Sequence, residues 1–229
     1  FKLIIKFLLF FLPVTLIFFV LAIDVSSEMY LGYDAKKFFY IKTLFFYEEK
    51  TIFDLDNLSQ TWHPHYASYL WGFFWVLSFV DIEYFGRLFY LFLFCYSLFI
   101  ISNISKKKII TYITFFTLLF VFYEYDYFKG HPEILIFSLL VIISKYFFLL
   151  SKSDNKNNTL FLLLIFLLST LILWIKSEGS IYFFIILFLV IIQKQILLNK
   201  RMIIFFLFIF SYVLKLMIYK ITGLSLEEG

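Results

Sequence analysis

The sequence predicts an all-α fold, a polytopic bundle of about seven membrane-spanning helices, with juxtamembrane helices in a long first outer loop. Hydrophobic residues make up 63% of the chain and its mean hydropathy is +0.93, whereas a soluble domain is about half apolar. The apolar residues form long runs with lysine clusters between them. Such clusters orient membrane proteins, so the net charge of +4 does not indicate nucleic-acid binding.

The first apolar run, about Leu3–Ile23, is long enough to cross the hydrocarbon core of a bilayer. The runs that follow it are Tyr66–Val80, Arg87–Ser102, Ile109–Tyr123, Ile134–Leu150, Thr159–Ile175, Ile181–Gln193 and Met202–Tyr219. The chain starts at Phe1 and stops in a polar tail. We therefore expect residues 1–229 to form a single transmembrane domain that is the N-terminal part of a longer protein.

The run Tyr66–Val80 is the doubtful span, because a helix of this length rises only about 22 Å against a core of ~30 Å. If it spans, the later lysine clusters fall on the side opposite Lys2 and Lys6. If it does not, all these clusters share the N-terminal side, as the positive-inside rule favours. We therefore interpret it as an interfacial or re-entrant helix. This leaves seven spans, an inner N-terminus and a first outer loop over residues 24–86.

This topology places the acidic residues on one side of the membrane. Fifteen of the sixteen acidic residues then lie on the outer side, with Asp154 as the exception. Acidic residues contribute little to orientation, so their distribution is partly independent of the lysine argument. This distribution of acidic residues indicates that the polar functional residues of the protein act at the outer face.

The segment Asp34–Tyr47 reads as an amphipathic helix at the interface, with Phe38, Ile41 and Phe45 on one face and Lys42 beside it. Asp34 at its start fits two roles. An aspartate there is a common helix N-cap, and it is also a candidate functional carboxylate. The two roles can coexist.

Further candidates lie in the rest of the outer loops. His63 and His65 could ligate a metal, but no second ligand cluster with zinc spacing is present, and Pro64 is expected to begin the interfacial helix. The single Cys95 can form no internal disulfide. The second outer loop carries Asp126 and Glu133, and the third carries Lys176 and Glu178, with Gly179 expected to break the helix.

These residues resemble those of the C-type glycosyltransferases, polytopic enzymes that use polyprenyl-phosphate sugars and include protein mannosyltransferases and aminoarabinose transferases. Bacterial members carry a pattern like YDA…K…LF…HPDYP, an acidic residue opening a later span, and a KNEG turn. The matching residues here are Tyr33-Asp34-Ala35, Lys42, Leu44-Phe45, His63-Pro64-His65-Tyr66, Glu133 and Lys176-Ser177-Glu178-Gly179. The chain departs from this pattern at His65 and Ala67, which replace an Asp and a Pro, and in having fewer spans.

The resemblance implies transfer of a sugar, with inversion, from a polyprenyl-phosphate donor to a lipid, glycan or protein acceptor. It implies Asp34 as the general base and a divalent metal ion as the one cofactor to consider. It also implies a prokaryotic plasma (inner) membrane with the site on the outer face. The remaining roles are donor-phosphate binding by Lys42, Lys176 and His63, and positioning of the acceptor or a metal by Glu133, Asp126 and Glu178.

Other classes of protein remain open. A transporter or flippase of lipid-linked sugars would share this topology but would need a polar cavity across the membrane, and the spans carry almost no charge. A non-catalytic membrane subunit would not need acids on three outer loops. An O-antigen ligase or polymerase would have Arg-rich outer loops, whereas this chain has only Arg87 and Arg201.

Overall fold

A computed structural model describes residues 2–27, 30–57, 64–79, 81–103, 107–152, 158–193 and 196–224. These residues are almost all helical, which confirms the all-α expectation for this part of the chain. Its α-helices are α1 (Lys2–Ser26), α2 (Ile41–Tyr47), α3 (Tyr66–Leu77), α4 (Tyr84–Ser102), α5 (Lys108–Phe122), α6 (Glu133–Lys152), α7 (Asn158–Ile175), α8 (Gly179–Ile192) and α9 (Leu198–Ile221).

Four of these helices, α4, α6, α7 and α9, are long and apolar enough to cross a membrane. The segment Phe10–Ser26 of α1, together with α5 and α8, is apolar but shorter. At 14 residues, α8 rises only about 21 Å. The described helices therefore indicate an integral membrane protein in a lipid bilayer, and the count of seven spans stays a prediction.

Side-chain contacts show which ends of the helices lie together. The Tyr123 hydroxyl donates to Asp24 Oδ2 (2.6 Å), and Lys176 Nζ donates to Glu133 Oε1 (2.6 Å). We call the end of the bundle that these residues occupy the upper end. The opposite, lower end is marked by hydrogen bonds from Lys145 Nζ to Asn103 O (2.6 Å) and from Lys200 Nζ to Thr159 Oγ1 (2.7 Å).

Two helices organise the packing. Helix α4 contacts α1, α3, α5 and α6, and α7 contacts α3, α6, α8 and α9. The inward side of α4 is mostly aromatic and aliphatic, with Phe94 and Phe99 fully buried. Close packing of such side chains, rather than exclusion from water, holds helices together in lipid. The bundle therefore presents its polar residues mainly at its ends.

Helix α3 is the short helix in the first long loop. It has 12 residues and rises about 18 Å, so it cannot cross a hydrocarbon core alone. Its buried residues recur along one face and include Ala67, Trp71 and Trp75. A Cβ on Gly86 of α4 would collide with the backbone and ring of Trp71, so glycine allows α3 to lie directly against α4.

Two local expectations differ from the structure. Pro64 does not begin α3, because the helix starts at Tyr66 with His65 at its N-cap position. Helix α4 starts at Tyr84, before the apolar run that begins at Arg87, and the bounds 24–86 of the first outer loop stay a prediction. Gly179 does not break the helix, because it is the first residue of α8. Glycine is needed there because a side chain would collide with the carbonyl of Ile172 in α7.

The segment before α2 is also wound differently from the sequence prediction. Residues Ala35–Tyr40 form a π-helical turn, whose wider winding changes which side chains face inward. Phe39 and Lys42 are buried, whereas Ile41 on the predicted apolar face is 40% exposed. Ser68 of α3 donates to the carbonyl oxygen of Phe39 (2.9 Å) and fixes this turn against the bundle.

Candidate functional site

The first two upper loops are joined through backbone groups next to Asp34. The amide of Gly32 donates to the carbonyl oxygen of Lys129 (2.9 Å). Gly130 has a φ of +88°, which favours glycine. A Cβ at this position would lie 3.0 Å from the Cβ of Ala35, so the two backbones approach closely. The residues flanking Asp34 are therefore held against the loop that leads into α6.

The second and third upper loops are joined by charged side chains. Lys176 Nζ lies 2.6 Å from Glu133 Oε1 and 3.3 Å from Glu178 Oε1. Burial lowers the pKa of Lys176, but its hydrogen bonds and charge interactions with Glu133 and Glu178 outweigh burial and leave the pKa raised. The second upper loop therefore contacts both the first and the third at the same end of the bundle.

These ion pairs involve the acidic residues predicted to position the acceptor or a metal. Glu133 and Glu178 share the ammonium group of Lys176, and Asp126 Oδ1 lies 2.5 Å from Lys129 Nζ. A divalent metal would have to displace these lysines, so the arrangement does not fit a metal site. Within the described residues, no three His, Cys, Asp or Glu side chains are grouped as metal ligands. His63 lies outside the described residues.

Asp34 lies at the start of the π-helical turn and is exposed. Its side chain makes no capping hydrogen bond to the turn, so the N-cap role proposed from sequence is not seen. An exposed carboxylate beside a junction of two loops is accessible to a ligand entering from the upper end.

Lys42 follows the π-helical turn as the second residue of α2 and is 2% exposed. Burial lowers the pKa of its ammonium group to about 8, because an apolar environment disfavours the charged form. The side chain is therefore still mostly protonated at pH 7.

His65 connects this region to the last helix of the bundle. Its ring packs among Phe46 of α2, Trp174 of α7 and Tyr219 of α9, at centroid distances of 6.4, 5.9 and 6.0 Å. Burial, and then the charges of two lysines, Lys42 and Lys215, lower the pKa of His65 to about 4. His65 is therefore neutral at physiological pH, although its sequence context suggested a residue in a polar loop.

The buried neutral state of His65 predicts a loss of stability in mild acid. The unfolded imidazole takes up a proton below its ordinary pKa of 6.5, whereas the folded one resists protonation until about pH 4. Stability is therefore complete above pH 6.5 and falls by about 3 kcal/mol as pH drops toward 4. Thermal unfolding between pH 7 and 4.5 should show this slope, and His65→Gln should remove most of it. An unchanged slope in the variant would contradict the assignment to His65.

The ion pair of Arg87 with Glu83 fixes α4 to the second upper loop. Arg87 is 2% exposed and donates to both carboxylate oxygens of Glu83, at 2.7 and 3.0 Å. Its third contact is a hydrogen bond to the carbonyl oxygen of Phe128 in the second loop (3.2 Å). Burial raises the pKa of Glu83, and Arg87 opposes that shift. The spacing of Glu83 and Arg87, four residues apart at a helix start, is the sequence signal for this pair.

The fold and this end of the bundle define an all-α integral membrane protein with a polar site at one end of an apolar helix bundle. Comparison of the chain with models of known families, with curated proteins and with solved structures finds no match.

Proposed function

We propose that the protein is a membrane glycosyltransferase that moves a sugar from a polyprenyl-phosphate donor to an acceptor at the outer face of the membrane. The observation that carries this proposal is the contact of all three upper loops at one end of the bundle. These loops hold the carboxylate of Asp34, the buried cation Lys42 and the ion pair of Glu133 with Lys176. The upper end is then the outer face.

The proposed reaction needs one base and one site for an anion. A hydroxyl or amine of the acceptor attacks the anomeric carbon of the sugar from the side opposite the phosphate, and its proton passes to Asp34. The bond between that carbon and the phosphate oxygen breaks, and its electron pair leaves with the polyprenyl phosphate. This phosphate has a second pKa of about 6, so it leaves as a stable anion without a general acid.

The cations of the site have different roles in this proposal. The charge of Lys42 is buried, so it would stabilise the departing phosphate more strongly than an exposed lysine could. Lys176 is already paired with Glu133 and Glu178, and it would instead hold Glu133 in place to orient the acceptor. Asp126, paired with Lys129, is the weaker acceptor-positioning candidate.

A lipid donor also needs an apolar surface near the site. A cavity of about 350 Å³ lies between α4, α5 and α6, and its lining includes Phe94, Phe122 and Phe137. Glu133 lies on the wall of this cavity and is the same residue that pairs with Lys176. The cavity therefore offers the first prenyl units an apolar path that leads to the charged residues of the upper end.

The proposal predicts a specific effect of Lys42→Met. The assay uses purified protein in proteoliposomes, a panel of radiolabelled polyprenyl-phosphate sugars, and the release of polyprenyl phosphate as readout. Loss of the buried charge should lower kcat or raise the donor KM by about tenfold or more, as expected for removal of a group that stabilises a developing anion. The matched control is Lys50→Met, because Lys50 lies in the same loop but is exposed and paired with Glu48.

Two results would contradict the proposal. Equal activity of the wild type, Lys42→Met and Lys50→Met would remove Lys42 from the site. Transbilayer movement of labelled donors by the wild type, without release of polyprenyl phosphate, would favour the flippase alternative over the transferase.

A further inference from the structure

A second, smaller cavity lies at the upper end, between the turn that joins α7 to α8 and the last turns of α9. Its volume is about 160 Å³. The described residues that line it include two serines, two tyrosines and a lysine, and none of them is a carboxylate: Ser177, Ser180, Tyr212, Tyr219 and Lys215. The cavity is therefore rich in hydrogen-bond donors and positively charged.

Lys215 is the charged group of this cavity and is 4% exposed. Its ammonium group donates to the carbonyl oxygen of Leu173 (2.8 Å) and lies 3.5 Å from Ser180 Oγ. Within the described part of the chain, no carboxylate lies within ion-pair distance of it. A buried charge is costly unless an opposite charge is paired with it. An anion bound beside Lys215 would therefore stabilise the folded protein.

Tyr219 supplies an independent observation on the same cavity. Its side chain is 1% exposed, and its hydroxyl has no hydrogen-bond partner among the described residues. Buried polar groups are nearly always satisfied, so an unpaired hydroxyl on a residue that lines a cavity indicates a missing hydrogen-bond partner.

We propose that this cavity binds a phosphate group, through the ammonium of Lys215 and the hydroxyls of Tyr219, Ser177 and Ser180. A tetrahedral oxyanion accepts several hydrogen bonds at once, which matches one ammonium with several hydroxyl donors. The volume fits a phosphate group and is well below the ~300 Å³ at which pockets for larger ligands begin. The group is either free phosphate or the phosphate of a lipid head group. Only the lipid source rests on the proposed function.

The test measures thermal unfolding of the purified protein in detergent, titrated with inorganic phosphate against sodium chloride of matched ionic strength. Phosphate should stabilise the wild type. Its affinity should fall at least tenfold in Lys215→Met and in Tyr219→Phe. Tyr219→Phe removes only an unpartnered hydroxyl, so its unliganded stability should match the wild type. The control Lys145→Met removes another lysine that donates to a backbone carbonyl, but at the lower end, and should keep the phosphate response.

A second arm identifies the source of the phosphate. Nanodiscs of phosphatidylcholine are compared with nanodiscs in which part of that lipid is replaced by phosphatidic acid. If phosphatidic acid stabilises the wild type and abolishes its response to inorganic phosphate, a lipid head group occupies the cavity. If inorganic phosphate alone stabilises it, the ligand is a soluble anion.

The absence of any phosphate-specific stabilisation, or an equal one in Lys215→Met and Tyr219→Phe, would overturn the proposal and leave a water-filled cavity. This outcome is distinguishable from failure of the transferase, because no sugar donor is present. Asp34→Asn should keep the phosphate response whatever its effect on transfer.

Discussion

Asp34→Asn is expected to lower kcat for sugar transfer by a factor of about 10²–10⁴ while leaving the donor KM within a fewfold of the wild-type value. The amide keeps the size of the carboxylate but cannot accept the proton of the attacking hydroxyl. Asp34 is exposed and makes no capping hydrogen bond, so the substitution should not change the stability of the protein. The loss would therefore lie in the chemical step.

The control for this prediction is Glu48→Gln, which neutralises another exposed acid of the first loop. Glu48 pairs only with the exposed Lys50 in the described contacts, and such pairs contribute little. Its kcat should stay near that of the wild type. Full activity of Asp34→Asn, measured by release of polyprenyl phosphate, would show that Asp34 is not the base. An equal loss in both variants would indicate a general effect of the loop charge.

Arg87→Met is expected to cause the largest loss of stability, about 3–5 kcal/mol. The variant leaves the half-buried carboxylate of Glu83 and the carbonyl of Phe128 without their donor. Because Arg87 links α4 to the second upper loop and lies against the ring of Trp71, the same substitution should loosen the packing around Trp71. Equilibrium unfolding in detergent, followed by intrinsic tryptophan fluorescence, measures this loss.

The double variant Glu83→Gln with Arg87→Met separates the ion pair from the other contacts of Arg87. Removing both charges should recover part of the loss, because no unpaired carboxylate then remains buried. A loss below about 1 kcal/mol in Arg87→Met alone would be typical of an exposed ion pair and would contradict the buried role assigned to Arg87.

Hydropathy was sufficient to predict the main helices. Each of the seven apolar runs interpreted as spans corresponds to a helix of the described chain, with ends that differ by a few residues. The short run after the long loop forms the 12-residue helix α3, as its length suggested. Long apolar helices can be predicted from sequence because their backbone hydrogen bonds are local. These bonds do not depend on which helices become neighbours.

The inward faces and the buried polar groups could not be predicted in the same way. The π-helical turn before α2 moves Lys42 inward, and no propensity signals such a turn. His65 is buried because residues 46, 174 and 219, far apart in sequence, come together around it. Lys215 is a charge near the end of an apolar run, but its relation to Tyr219 and the small cavity depends on tertiary packing.

The central claim is that the three upper loops form one site at the outer face of the membrane. It is tested most directly by labelling single cysteines in these loops, in a Cys95→Ser background. The substitutions are Tyr33→Cys, Asp126→Cys and Ser177→Cys, at exposed positions, with Ser151→Cys at the lower end as control. A membrane-impermeant maleimide should label all three loop positions in intact cells and the control only after permeabilisation. Labelling at residue 33, beside Asp34, should also block release of polyprenyl phosphate. A loop position that reacts only after permeabilisation, or full activity after labelling at residue 33, would contradict a single outer-face site.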